Sequence, residues 1–143
     1  MTARIQASLF ALVVSLAACA TTPSEAGLTP WNQARVTELS QRLLAASNGW
    51  YLALLQQGKG RGRLQQNAIA LQQQTSALAA HLEDGQRFGD TVYDYLDLRE
   101  LMDDADQRVD ASYLEQPAQD AWAKLSGLMK QITPYYDARP FGS

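Results

Sequence analysis

Apolar residues recur three or four positions apart in four successive segments of the chain, a spacing typical of amphipathic α-helices. The clearest of these predicted helices lies between Arg63 and Glu83, and its apolar face consists of Leu64, Ala68, Leu71, Thr75, Leu78 and Leu82. The other three are predicted at 29–57, with Thr29 as the N-cap, at 90–110, with Asp90 as the N-cap, and at 117–134. Short stretches rich in glycine, proline or aspartate separate the four segments. No segment shows the alternating pattern of a strand.

The connections between these helices are about four to eight residues long, which favours antiparallel packing of successive helices. We therefore predict an all-α fold, an antiparallel up-down four-helix bundle over residues 30–136, followed by an irregular tail at 137–143. A length of 143 residues fits one such domain. With 46% hydrophobic and 19% charged residues, the composition excludes both a disordered chain and a protein with several membrane spans.

The first nineteen residues have the pattern of an export signal. Arg4 supplies one positive charge, an apolar run extends from Ser8 to Leu16, and small residues precede Cys19. The apolar run is shorter than the roughly 20 residues that a permanent membrane helix needs. We therefore expect residues 1–18 to be a cleaved signal peptide, and residues 19–29, which are small, polar and proline-containing, to form a flexible tether.

The sequence Leu16-Ala17-Ala18-Cys19 resembles the lipobox of bacterial lipoproteins. The resemblance implies that Cys19 carries the lipid and becomes the first residue of the mature protein. Because Ala20 and not aspartate follows the cysteine, it also implies delivery to the outer membrane, with the domain on the periplasmic face. Cys19 is the only cysteine, so we expect no disulfide and no thiolate metal site.

Charge is distributed unevenly along the chain. Residues 35–63 contain five basic residues and one acid, a net charge of +4, whereas residues 83–110 contain ten acids and three bases, a net charge of −7. Three of the basic residues, Lys59, Arg61 and Arg63, are spaced by glycines and are candidates for binding a phosphate, an anionic glycan or an acidic partner. The more common reason for such residues is a solvated surface loop, here partly neutralised by the acidic residues 103–110 at the same end of the predicted bundle. Nucleic acid is not expected as a partner of an acidic, exported chain.

Residues that would support catalysis or cofactor binding are scarce. His81 is the only histidine, and the chain contains no Glu-x-x-His motif. Acidic residues share one face of the third helix, but nothing in the sequence resembles a calcium-binding loop. We therefore expect no enzyme activity, no cofactor and no metal.

Additional apolar residues form a second stripe on two of the predicted helices. Leu44, Tyr51 and Leu55 form this stripe on the first helix, and Val92 and Leu96 on the third. The stripes indicate either a wide core-facing surface or a groove that receives an apolar helix of a partner.

Small lipid-anchored helical bundles of this kind resemble, in architecture only, the pilotins that escort secretin subunits to the outer membrane. The sequence thus leads us to expect an outer-membrane lipoprotein that binds another periplasmic or outer-membrane protein as an accessory factor. One alternative is a periplasmic bundle that binds a small ligand, haem or a metal ion in a pocket lined by Trp50, Trp122 and Met102. Another is an inhibitor or immunity protein.

Overall fold

The computed structural model describes residues 27–58 and 62–142. These residues form four α-helices and no strand, and the helices are α1 (Gln33–Gln56), α2 (Arg63–Glu83), α3 (Phe88–Asp110) and α4 (Gln116–Tyr136). The predicted all-α fold is confirmed, and the helices pack as a four-helix bundle. The predicted signal peptide, Cys19, most of the tether, Lys59, Arg61 and the last residue of the tail lie outside the described residues.

Two helices begin at residues other than those predicted. Asn32, and not Thr29, caps α1, because its side-chain oxygen accepts a hydrogen bond of 3.0 Å from the backbone N–H of Arg35. In α3, Asp90 is the third helical residue instead of the cap, and its carboxylate accepts a hydrogen bond of 3.4 Å from the backbone N–H of Arg87. In both cases the cap is the residue whose side chain is placed to bond the free backbone N–H groups at the helix start. Several polar residues near each start could have acted as the cap, so the sequence alone does not decide between them.

The end of α4 also differs from the prediction, since the helix continues past Pro134 to Tyr136. Pro134 lies in the last turn, where it removes one donor without ending the helix, and Asp137 still donates its N–H to the carbonyl of Thr133 at 2.8 Å. The carbonyl of Pro134 accepts a hydrogen bond of 2.7 Å from Thr29. Residues 27–29, predicted to belong to the tether, are therefore packed against the end of α4.

Helix α1 packs on both α2 and α4, α2 also packs on α3, and α3 and α4 have the smallest mutual contact; α1 does not contact α3. Gln33, at the start of α1, donates hydrogen bonds of 3.2 and 2.9 Å to the carbonyls of Leu82 and Gln86, at the end of α2. Likewise Thr91, at the start of α3, bonds at 2.7 Å to Tyr136, at the end of α4. We call this end of the bundle, where residues 27–33 lie, the N-terminal end, and the opposite end the distal end.

The apolar faces predicted for the helices lie in the core. The buried residues are Val36, Leu39, Leu43, Ala46, Trp50 and Leu54 of α1, Ala68, Leu71, Leu78 and Leu82 of α2, Leu98, Met102 and Ala105 of α3, and Trp122, Leu125, Leu128, Met129 and Ile132 of α4. Thr75 is buried among them, and its hydroxyl lies 2.8 Å from that of Ser47, so that the two polar groups satisfy each other between α1 and α2.

Aromatic residues that the sequence did not place in the core close the N-terminal end. The rings of Tyr95 and Tyr136 stack with centroids 4.7 Å apart. Trp31 packs edge-on against Tyr136, and Phe88 stacks on it. The hydroxyl of Tyr95 donates a hydrogen bond of 3.2 Å to Thr133. This cluster joins the starts of α1 and α3 to the end of α4.

The buried hydroxyl of Tyr136 is expected to make the bundle less stable at alkaline pH. Burial raises the pKa of Tyr136 to about 12, whereas an unfolded tyrosine titrates near pH 10. Because the pKa is raised by folding, the stabilisation is complete below about pH 10 and is lost as the pH rises from about 10 to 12. At about 1.4 kcal/mol per pKa unit, the expected loss of unfolding free energy is about 2–3 kcal/mol.

Urea unfolding of the wild type and of Tyr136→Phe at about pH 9 and pH 11.5 measures this dependence. The variant lacks the hydroxyl, so its stability should fall less than that of the wild type between the two pH values. Equal losses in both proteins would show that Tyr136 is not the titrating group.

Candidate functional site

The apolar stripe predicted on α1 is only partly available to a partner. Leu44 and Tyr51 are half-buried, and Tyr51 packs against the core. Leu55 is 44% exposed, and Leu52, one turn before it, is 53% exposed. The stripe therefore divides into a part that widens the core and a part that faces solvent.

The stripe predicted on α3 divides in the same way. Val92 is half-buried against the core, while Leu96 is 41% exposed and its neighbour Tyr93 is 74% exposed. Since α1 and α3 do not contact each other, the two stripes lie on different faces of the bundle. The structure does not combine them into one groove.

An exposed apolar residue of α2, Ile69, lies close to the exposed part of the α1 stripe. Asn48 and Gln72 form a hydrogen bond of 3.0 Å between α1 and α2, with Leu52 one turn beyond it on α1 and Ile69 one turn before it on α2. The two helices run in opposite directions at this contact, so Leu52 and Ile69 lie at the same level of the bundle. We call Leu52, Leu55 and Ile69 the α1–α2 apolar face. Leu52 and Ile69 were missed in the sequence because they lie outside the core-facing periodicity.

The distal end contains a cavity of about 490 Å³, lined by the end of α1, the start of α2, the end of α3 and the segment that precedes α4. We call it the distal cavity. Gln57 joins the end of α1 to the segment that precedes α4, since its amide donates at 3.2 Å to the carbonyl of Tyr113 and its oxygen accepts at 2.9 Å from the N–H of Glu115. The polar lining residues include Gln57, Arg63, Gln65, Arg108 and Ser112. Of the three predicted basic residues, Arg63 is thus placed at this cavity, and Arg108 joins it.

The two arginines of the distal cavity have different surroundings. Arg108 donates a hydrogen bond of 2.9 Å from Nε to Asp104. This hydrogen bond lowers the pKa of Asp104, with further contributions from Asn67, which donates at 3.1 Å, and from the charge of Arg63. Arg63 itself forms no ion pair within the described part of the chain.

The backbone presents helix ends of both signs to the distal cavity. Helix α2 begins beside it at Gly62, with no side-chain cap and no acidic residue in the first turn, so its first N–H groups are free to meet an anion, whereas α1 and α3 end beside it with their carbonyl groups.

The residues expected to line a ligand pocket inside the bundle lie in the hydrophobic core. Trp50 and Met102 are fully buried, Trp122 is nearly so, and the centroids of the two indole rings are 5.2 Å apart. His81 pairs with Asp94, their nearest atoms being 2.7 Å apart. In residues 27–58 and 62–142, no group of three or more histidine, cysteine or acidic side chains is arranged to hold a metal ion.

Comparison of the chain with protein-family models, curated proteins and solved structures finds no match. Of the four helices in the described ranges, none has the length and apolar character needed to cross a membrane. The surface of the bundle and the sequence of residues 1–19 are the basis for a functional proposal.

Proposed function

We propose that this chain is an outer-membrane lipoprotein whose periplasmic domain acts as a non-enzymatic accessory factor by binding another envelope protein. The lipobox-like sequence ending at Cys19 supports the anchor. The single observation that supports protein binding is the α1–α2 apolar face, which exposes Leu52, Leu55 and Ile69 although the bundle has a complete core elsewhere.

The chemistry of this face indicates the kind of partner. Neighbouring exposed apolar side chains are stabilised when a partner covers them, and an amphipathic helix does this with residues spaced three or four apart. The sequence from 35 to 63, which includes most of α1, has a net charge of +4, and a basic segment favours a partner that carries acidic residues. The partner surface is therefore an apolar helix flanked by acidic residues.

A photocrosslinking amino acid at position 55 of the lipidated protein tests this proposal in living cells. We expect one dominant adduct, with an envelope protein whose crosslinked segment is an apolar helix with acidic flanks. The same crosslinker at Leu96, on the α3 face, is the matched control and should not give that adduct. Absence of any adduct at position 55, with correct outer-membrane fractionation, would contradict the proposal.

The substitution Leu55→Asp should abolish partner binding and leave the domain folded. An exposed leucine contributes little to the core, so the expected change in unfolding free energy is below about 1 kcal/mol. A charge at a buried interface position is expected to weaken binding by tenfold or more. Pull-down of the crosslinked partner and circular dichroism measure the two quantities, with Leu96→Asp as the variant that should still bind.

The anchor is tested independently by Cys19→Ser. Without the thiol that receives the lipid, the protein should lose palmitate labelling and leave the outer-membrane fraction. Continued labelling of the serine variant would show that the lipid is attached elsewhere.

A further inference from the structure

We infer that the distal cavity is a binding site for a carboxylate carried on an aliphatic group, as found at the C-terminus of a peptide that ends in an apolar residue. The site is separate from the α1–α2 apolar face, and it goes beyond the proposed partner binding. Three features of the cavity carry the inference: its charge, its apolar floor and its rigid frame.

The charge of the cavity is positive and incompletely compensated. Arg63 and Arg108 line it, and none of the described residues that line it is acidic. Asp104 compensates Arg108 through the Nε hydrogen bond, which also fixes the position of that guanidinium. Arg63 forms no ion pair among the described residues, although its charge also acts on Asp104, and its guanidinium donors are therefore not committed to a carboxylate of the described bundle. Two guanidinium groups suit a carboxylate, because each offers parallel N–H donors to its two oxygens.

The floor of the cavity is apolar. Leu54 and Leu114, which are buried, and the half-buried Leu64 line it together with the arginines. An inorganic ion would leave this surface in contact with water, whereas an aliphatic group beside the carboxylate would cover it. The combination of a few polar groups with an apolar lining is that of a small-molecule or peptide-end site.

The frame of the cavity is held from both sides. The two hydrogen bonds of Gln57 join the end of α1 to the segment before α4. Ser112 donates a hydrogen bond of 2.6 Å to the carbonyl of Arg108 and so closes the end of α3. The cavity therefore needs little rearrangement to receive a ligand.

Titration of ¹⁵N-labelled protein by NMR tests the site, in the chain carrying Cys19→Ser, which leaves every described residue unchanged. N-acetyl-leucine is the first probe, and it should shift the amide signals of Gly62, Arg63 and Ser112 in a saturable manner. N-acetyl-leucinamide, which has the same shape and no charge, should bind at least tenfold more weakly. Octanoate distinguishes the source of the carboxylate: tighter binding of octanoate would assign the site to a fatty acid, and tighter binding of N-acetyl-leucine to a peptide end.

Variants complete the test. The double substitution R63Q and R108Q should weaken N-acetyl-leucine binding by tenfold or more, while R42Q, which removes an exposed arginine on the side of α1, should leave it unchanged. Retention of circular dichroism in the double variant excludes loss of the fold as the cause. The inference is overturned if neither carboxylate gives saturable shifts, if the amide binds as tightly as the acid, or if R42Q weakens binding as much as the double variant.

Discussion

Replacing Trp50 by alanine is expected to lower the free energy of unfolding by about 3–5 kcal/mol, the usual cost of removing a large buried aromatic side chain. Trp50 is fully buried in the middle of the core face of α1, and its ring packs against that of Trp122 on α4 at 5.2 Å. Domains of this size have unfolding free energies of about 5–15 kcal/mol, so the variant should lose a large part of that free energy. Urea unfolding of the protein carrying Cys19→Ser measures the change.

Two controls separate burial from other effects of the substitution. Trp50→Phe keeps most of the ring and removes an indole N–H that is buried without a hydrogen-bond partner among the described residues, so it should cost less than half as much as alanine. Leu52→Ala, two residues away on the exposed side, should change stability by less than about 1 kcal/mol. Equal losses for Trp50→Ala and Leu52→Ala would mean that α1 is rotated relative to the structure.

The position of Trp50 was predictable because one physical rule decides it. A helix that packs against neighbours buries the stripe with a period of 3.6 residues, and the stripe through Leu43, Trp50 and Leu54 is the longest on α1. The same rule placed Leu71 and Leu78 of α2 in the core. Periodicity over six turns averages out local exceptions, so the core faces were the strongest part of the prediction.

Helix ends and half-buried margins depend on single contacts and were not predictable in this way. Whether Asn32 or Thr29 caps α1 is decided by one hydrogen bond to Arg35. The periodic pattern gave Tyr51 and Leu55 the same weight, yet one packs against the core and the other is exposed, because the neighbouring helix covers only one side of the stripe.

The distal cavity could not be predicted from the sequence for a different reason. Arg63 and Arg108 are far apart in the chain. Only the packing of α2 on α3 places the two side chains at one cavity. The glycine-spaced basic residues drew attention to Arg63, whereas Arg108 lies in the acidic part of the chain and gave no signal.

A third arginine, Arg99, joins α3 to the segment that follows α4. These two helices have the smallest contact in the bundle, and the segment after α4 fills the space beside them. The Arg99 side chain, only 12% exposed, donates hydrogen bonds of 2.9 and 3.0 Å to the carbonyls of Arg139 and Pro140 and lies 3.4 Å from the carboxylate of Asp137. Its guanidinium also lies over the buried ring of Phe141, 5.7 Å from the centroid. Arg99 thus contacts four residues of the C-terminal segment, which is also held by the burial of Phe141 in the core.

Arg99→Ala is therefore expected to lower the free energy of unfolding by about 3–4 kcal/mol and to release residues 137–142 from the bundle. Hydrogen bonds from a charged donor are worth about 1.5–3 kcal/mol each, and two of them are lost together with the cover over Phe141. Because Arg99 binds two carbonyl groups directly before Phe141, carboxypeptidase should remove Phe141 faster from the variant than from the wild type. Mass spectrometry over time gives the rate.

The matched control is Arg139→Ala in the same segment. Arg139 donates a hydrogen bond of 3.0 Å to Asp137, and this bond and the charge of Arg99 both lower the pKa of Asp137, but the Arg139 side chain is 76% exposed. Exposed ion pairs contribute at most about 1 kcal/mol, so this variant should keep both its stability and its resistance to carboxypeptidase. If the two variants lost Phe141 at the same rate, the segment would be held by Asp137 and Arg139 at the surface. A difference confined to Arg99→Ala would show that the buried arginine joins the C-terminal segment to α3.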